Sequence, residues 1–142
     1  MYTRRSSLLC LGLVLAAAGI PCSLAQAQER SLAIDGYDPV AYFTERRPAQ
    51  GKADISFDWD DRRYRFATAR NRETFAANPD RYEPQFAGFC SSGVAAGKRI
   101  KADPALWRIV DGKLYLFSKP VASEEALDKT VVAAQAKWKS LK

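Results

Sequence analysis

Two segments of strict alternation between apolar and polar residues constrain the fold of this chain most. In the first, apolar or aromatic residues stand at positions 55, 57, 59, 64 and 66, on either side of the polar pair Asp60-Asp61. A period of two places successive side chains on opposite faces of a strand. Residues 55–66 are therefore predicted to form a β-hairpin with one buried face.

The second alternating segment, residues 107–117, contains the dipeptide Asp111-Gly112. Asp-Gly suits a two-residue type I′ turn, in which both central residues have positive φ. The turn pairs Ile109 with Leu114, and two residues further out it pairs Trp107 with Leu116 on the same face. This segment predicts a second hairpin.

Capping residues and helix breakers place three helices between and after the hairpins. Thr68 is a suitable N-cap for a helix that ends at Asn78, because Pro79 disfavours helical geometry in the residue before it. Residues 90–96 are expected to form a second short helix, ended by Gly97.

A final helix begins after Ser123 and carries one apolar stripe, formed by Leu127, Val131, Ala134, Trp138 and Leu141. The predicted fold is a small single α+β domain with two β-hairpins, short helices and a C-terminal amphipathic helix packed on the sheet. Residues 28–33 are expected to be a loose leader. The three tryptophans are expected to be core residues, and no internal repeat is expected.

The N-terminus has the order of a secretory signal peptide. Arg4 and Arg5 precede an apolar run from residue 8 to 20, and Ala25-Gln26-Ala27 offers small residues for cleavage. The apolar run is shorter than the roughly 20 residues that span a bilayer. We therefore expect residues 1–27 to be a signal peptide and residues 28–142 to be the exported domain, with no membrane span and with the bacterial periplasm as its destination.

Two other interpretations of the N-terminus remain open. Cys22 would be the acceptor of a lipid anchor, although Pro21 before it is unsuited to such a signal. The pair Arg4-Arg5 resembles a twin-arginine signal, which would export a folded protein.

Cysteine and histidine usage excludes several kinds of chemistry. Beyond residue 27 the only cysteine is Cys90, and the chain contains no histidine. A monomer lacks the thiolates and imidazoles of an ordinary zinc or copper site, and it has no His for a nucleophilic triad. No metal, cofactor or catalytic residue is predicted, and we expect no zinc or copper binding tighter than about micromolar by the monomer.

The charge of the exported part is mildly positive. Two of the 22 basic residues and none of the 16 acidic residues lie in the signal, which leaves a net charge of +4. Basic and acidic residues are intermixed rather than gathered into a stripe with aromatic residues. We therefore predict no nucleic-acid partner.

Several motifs resemble the YHS domain family. They are Asp38-Pro39-Val40, Tyr64-x-Phe66, and the run Glu73-x-Phe75-x-x-Asn78-Pro79-x-x-Tyr82. The sequence from Asp35 to Phe43, together with Gly88-Phe89-Cys90, is similar to the exported YHS-like branch of bacteria, and the resemblance covers about residues 34–117. It implies the YHS fold.

Metal-associated YHS domains carry cysteines at three positions that here hold Ala41, Ala67 and Asn71. The resemblance therefore implies the fold without the metal association. Members of the exported branch mostly have no assigned activity, so the resemblance implies no particular reaction.

Cys90 is the first candidate site residue. At the start of the predicted helix 90–96, unpaired amides and the helix dipole would lower the pKa of its thiol. The alternative is that Cys90 is a small buried hydrophobic residue between Phe89 and Val94.

Tyr37, Asp38 and Tyr42 form the second candidate, a pocket in which Asp38 is the polar anchor. The alternative is that Asp38 orders a turn and both tyrosines pack in the core.

These residues lead to three hypotheses of function. The first is a non-enzymatic binding or accessory module for a small ligand or a periplasmic partner protein near Cys90 and the Tyr37–Tyr42 turn. The others are a thiol redox role of Cys90 and metal handling through Cys90 in a dimer. Solvent access to the thiol separates them, because both alternatives need an accessible sulfur. The sequence does not determine the oligomeric state.

Overall fold

The computed structural model describes residues 30–142, which form a mixed α+β domain with two small sheets. The expected signal peptide lies outside these residues. Within 30–142, no helix combines the length and the apolar character needed to cross a membrane.

The first sheet has three strands in the order β1-β3-β2. β2 (Lys52–Trp59) and β3 (Arg62–Phe66) form the predicted hairpin around Asp60-Asp61, and β1 (Ser31–Leu32) pairs in parallel with β3. The expectation of a loose leader is therefore wrong for Ser31 and Leu32. Their backbones pair with β3, and a strand of two residues is too short to show a periodic pattern.

The second sheet is the predicted hairpin of β4 (Asp103–Val110) and β5 (Lys113–Phe117). Ile109 pairs with Leu114 and Trp107 with Leu116, and Asp111 and Gly112 both have positive φ, at 50° and 71°. The type I′ turn and the register are confirmed.

Five α-helices complete the described residues: α1 (Ala41–Thr44), α2 (Ala69–Ala77), α3 (Pro79–Tyr82), α4 (Ser91–Ala95) and α5 (Glu124–Trp138). The hydroxyls of Thr68 and Ser123 accept the predicted capping hydrogen bonds from the amides of Asn71 and Ala126. The fold class is confirmed. The sequence did not predict α3.

The chain between residues 34 and 118 contains two units with the same backbone features, residues 34–67 and 86–118, which α2 and α3 separate. Each begins with two residues in the left-handed region and a glycine of positive φ, Ile34-Asp35-Gly36 in one and Phe86-Ala87-Gly88 in the other. Each then has a short helix and a hairpin, and each residue of the second hairpin is 51 positions after its equivalent in the first. In both hairpins the strand pairing is irregular at the equivalent place, between Lys52 and Ser56 in β2 and between Asp103 and Trp107 in β4.

The backbone hydrogen bonds repeat as well. The amide of Asp38 donates to Ala49 O in the first unit, and the amide of Cys90 donates to Ile100 O in the second, both at 2.8 Å. The sequence contains no internal repeat, as expected, and the correspondence between the units lies in their backbones. Few residues are shared between the units, because backbone geometry rather than side-chain identity is what recurs.

Two hydrophobic cores lie on opposite faces of β5. Leu114 and Leu116 pack with Val40, Phe66 and Phe75 in the first core. The intervening Tyr115 and Phe117 pack in the second core, which also contains these residues of α4, α5 and the turn before α4: Phe86, Val94, Leu127, Val131 and Ala134. The predicted stripe of α5 is thus buried at its first three positions, whereas Trp138 and Leu141 are half-buried. Trp59 and Trp107 are half-buried too, so none of the tryptophans is a fully buried core residue.

Candidate functional site

Asp38 is fully buried and its carboxylate is surrounded by donors. Oδ1 accepts from the amides of Val40 at 2.8 Å and Ala41 at 3.4 Å. Oδ2 accepts from the amide of Ala67 at 2.9 Å and from Asn71 Nδ2 at 2.7 Å. The carboxylate therefore ties the start of α1 to the segment between β3 and α2.

The resemblance to metal-associated YHS domains implies cysteine positions at Ala41, Ala67 and Asn71. Ala41 and Ala67 donate to the Asp38 carboxylate through their backbone amides, and Asn71 donates through its side chain. Among residues 30–142, no three Cys, Asp or Glu side chains come together in a group suited to hold a metal ion.

The two tyrosines of this candidate have different surroundings. Tyr42 is fully buried, and its hydroxyl donates to Pro104 O at 2.9 Å, which links α1 to β4. Burial raises the pKa of Tyr42 well above its ordinary value. Tyr37 is half-buried and its backbone pairs with Gln50. Asp38 and Tyr42 therefore present no surface to a ligand, and their placement agrees with the turn-and-core alternative.

Cys90 is also buried, with 1% of its surface exposed. It lies directly before α4, as predicted, and its Sγ accepts two hydrogen bonds of 3.2 Å, from the amide and from the hydroxyl of Ser118. Its backbone pairs with Leu116 of β5. The thiol thus ties the start of α4 to the residue that follows the second hairpin.

The surroundings of Cys90 act on its pKa in opposite directions. Burial raises the pKa of the thiol, but the hydrogen bonds from Ser118 and the backbone amides of Gly93 and Ser92 outweigh that effect. The net result is a pKa below the ordinary value of 9.0. The sulfur is polarised but sealed from solvent.

Asp38 and Cys90 occupy equivalent positions in the two units. Each is the residue before a short helix, and each accepts from the residue directly after its hairpin, Ala67 or Ser118. The amides of Ser92 and Gly93 correspond to those of Val40 and Ala41. We interpret the two side chains as equivalent structural acceptors that close the two units.

A groove with two cavities lies beside these acceptors and is not lined by Tyr37, Asp38, Tyr42 or Cys90. The smaller cavity, of about 290 Å³, lies between the units and is lined by residues just before Tyr37 and Cys90, including Ile34, Asp35, Gly88 and Phe89. The larger, of about 540 Å³, extends to the C-terminal end of α5. Arg62 and Ala87 line both cavities.

The larger cavity combines aromatic and charged side chains. Tyr64, Phe86 and Trp138 contribute ring surface, with the Phe86 and Trp138 ring centroids 5.7 Å apart. Charged residues around it are Asp60, Arg62, Glu83, Lys113, Lys139 and Lys142. Burial raises the pKa of Glu83, and a hydrogen bond from Trp59 opposes this effect.

No short sequence pattern indicates this groove. Its lining comes from β3, the turn before α4, the start of β5 and the end of α5, which are far apart in the chain. Gly36 and Gly88 are the sequence feature that the two segments share, and both have positive φ in the structure.

Comparison of the chain with protein-family models, with curated proteins and with solved structures gave no match.

Proposed function

We propose that this protein is an exported, YHS-like, non-enzymatic binding module that holds a small ligand in the groove between its two units. The observation that carries the proposal is the larger cavity, which three aromatic and six charged side chains line together. Small-molecule sites are typically concave, roughly 300–1,000 Å³ in volume, and combine aromatic surface with polar groups that fix orientation. At about 540 Å³, this cavity falls within that range.

The groove lies close to the residues named from the sequence. The smaller cavity is lined by Phe89, which precedes Cys90, and by Leu116, whose backbone pairs with Cys90. In this proposal Asp38 and Cys90 hold the walls of the groove in place, and the ligand contacts the segments that precede them.

The competing roles of Cys90 find less support. A redox or metal-handling thiol must reach its partner, and thiolates that react are accessible. Cys90 is buried, and its sulfur accepts hydrogen bonds from the amide and the hydroxyl of Ser118. A covalent or metal-binding role would need α4 to move away from β5.

Export and the family resemblance are parts of the same proposal. The pattern of residues 1–27 supports cleavage after Ala27, and the motif around Asp38, with Tyr64-x-Phe66, supports a YHS-like origin. Intact mass of protein recovered from the periplasm tests the first point. We expect a chain that begins at Gln28, and a product that retains residues 1–27 or carries a lipid on Cys22 would contradict it.

The binding proposal is tested by native mass spectrometry of the protein produced from the full chain. We expect a bound small molecule in a fraction of the population. Gln135 is exposed and lines the cavity, so Gln135→Trp should fill the cavity and remove the bound mass. Ala133→Trp, on an exposed position of the same helix outside the groove, should retain it. Equal binding by both variants would exclude the groove as the site.

A further inference from the structure

We propose that the groove selects organic anions, molecules that join an acidic group to a flat apolar body, and that Arg62 and Lys113 bind the acidic group. This inference rests on the proposed function and specifies its ligand class. It follows from the position of two cations, from the charge balance of the larger cavity and from its aromatic walls.

Arg62 is placed to receive an anion. It is half-buried on β3, and its guanidinium carbon lies 5.4 Å from the centroid of the Phe89 ring. Among residues 30–142 its guanidinium forms no ion pair with a carboxylate. A planar guanidinium held against a ring keeps its donors oriented, and it matches the two oxygens of a carboxylate, sulfonate or phosphate.

Lys113 is the residue equivalent to Arg62 in the second unit. Arg62 is the first residue of β3 and pairs with Trp59, and Lys113 is the first residue of β5 and pairs with Val110. Both line the larger cavity, and Lys113 likewise has no carboxylate within 4.0 Å in the described part of the chain. The packing of the two units thus brings two unpaired cations to one cavity.

The remaining charges leave the cavity positive. Lys142 interacts electrostatically with Glu83, which offsets one acidic group. Asp60 is then opposed by three cations, Arg62, Lys113 and Lys139. A cavity with an excess of about two positive charges attracts anions and repels cations.

The aromatic side chains define the rest of the ligand. Trp138 is half-buried and supplies most of the accessible ring surface of the cavity, whereas Phe86 and Tyr64 are 5% and 2% exposed and contribute little. Flat apolar molecules pack favourably against such rings. An inorganic anion would use the cations and leave this surface empty.

Three probes separate these contributions. 8-Anilinonaphthalene-1-sulfonate carries both a ring system and an anionic group, N-phenyl-1-naphthylamine has the same rings without the charge, and inorganic sulfate has the charge without the rings. We expect the sulfonate dye to bind at least tenfold more tightly than the neutral dye. Sulfate should displace it only at concentrations a hundredfold or more above those of the dye. Fluorescence titration measures all three.

Variants that remove one positive charge then test whether Arg62 and Lys113 bind the acidic group of the dye. Arg62→Gln and Lys113→Gln should each weaken the sulfonate dye about five- to tenfold and change the affinity for the neutral dye less than twofold. Arg70→Gln, at an exposed position on α2 outside both cavities, is the matched control and should change neither. Urea unfolding of each variant confirms that the fold is retained, and the Lys113 variant serves if Arg62→Gln does not fold.

Each other outcome has a defined meaning. Equal binding of both dyes, unchanged in Arg62→Gln, would overturn the anion preference while leaving the groove as a binding site. Sulfate that competes as well as the dye would overturn the requirement for a flat body. If neither dye binds, or if Gln135→Trp does not weaken them, the proposed function itself fails.

Discussion

A buried acceptor side chain closes each of the two units. Asp38 accepts through carboxylate oxygens and Cys90 through a sulfur atom. Each accepts hydrogen bonds from groups at the start of a helix and at the end of a hairpin. Buried polar groups are tolerated when their hydrogen bonds are satisfied, and removal of one partner leaves the others unpaired. The two residues therefore allow predictions about stability rather than about catalysis.

Asp38→Asn should destabilise the domain by roughly 2–4 kcal/mol. The amide replaces one accepting oxygen by a donor, so an NH₂ group must face amides or the Asn71 side chain, which are donors themselves. Urea unfolding measures the loss. Asp54→Asn makes the same change at an exposed position of β2 and should alter stability by less than about 0.5 kcal/mol. A small effect at Asp38 would mean that its carboxylate is not the link between α1 and the segment before α2.

The lowered pKa of Cys90 predicts a pH-dependent contribution to stability. A group whose pKa is depressed in the folded state stabilises that state fully above its unfolded pKa of about 9, and the contribution is lost as pH falls through the folded pKa. The difference in unfolding free energy between the wild type and Cys90→Ser should therefore grow from pH 6 to pH 9.5. Serine accepts the same hydrogen bonds without titrating in this range, so other titrating groups cancel. A constant difference would show that the thiol has the same pKa in the folded and the unfolded protein, and a difference that falls toward pH 9.5 would show that folding raises its pKa.

Among the elements, the final helix has two roles, because its stripe enters the second core at one end and reaches the groove at the other. Leu127 and Ala134 are 3% and 0% exposed, whereas Trp138 packs only partly, against Phe86 and Phe89. The stripe alone would predict a loss of about 3–5 kcal/mol for Trp138→Ala, the range for a fully buried ring.

With Trp138 half-buried, we expect Trp138→Ala to cost about 2 kcal/mol and to weaken the binding of both naphthalene dyes, since the ring is a wall of the cavity. Val132→Ala, at a position of the same helix that is 67% exposed, should change neither property. Denaturant unfolding and dye titration provide the two measurements. A loss of stability without a loss of dye binding would place the dyes elsewhere.

Local patterns predicted most of these elements but not their relations. The caps at Thr68 and Ser123, the Asp111-Gly112 turn and both hairpins depend on neighbouring residues, and the sequence therefore predicted them. The pairing of Ser31 with Arg62 and the packing of Phe86 against Trp138 join distant residues, so no short pattern encodes them. For the same reason Cys90 was placed correctly before a helix, but the groove beside it was missed.

In the whole molecule, β5 joins the two units, because four of its five residues are buried and they face both cores. Leu114 and Leu116 contact the first unit, and Tyr115 and Phe117 contact α4 and α5. The first core therefore lacks one wall without β5, whereas every buried residue of the second core lies between Phe86 and Ala134. Repetition of the backbone in this protein does not produce two independent domains.

We predict that the described domain unfolds in one cooperative transition. Trp59 lies in the first unit beside the first core, and Trp138 lies beside the second, so variants that retain one of them, with the other tryptophans replaced by Phe, report on each region separately. Each variant should show the same urea midpoint by its own fluorescence and by far-ultraviolet circular dichroism, because the loss of either core exposes one face of β5.

Leu116→Ala should lower both midpoints together, by about 2–5 kcal/mol in unfolding free energy, although Leu116 belongs to the second unit and packs in the first core. If the Trp59 signal falls at lower urea than the Trp138 signal, or if Leu116→Ala shifts only one of them, the units unfold independently. In that case the groove would lose one of its walls while the other core remained folded.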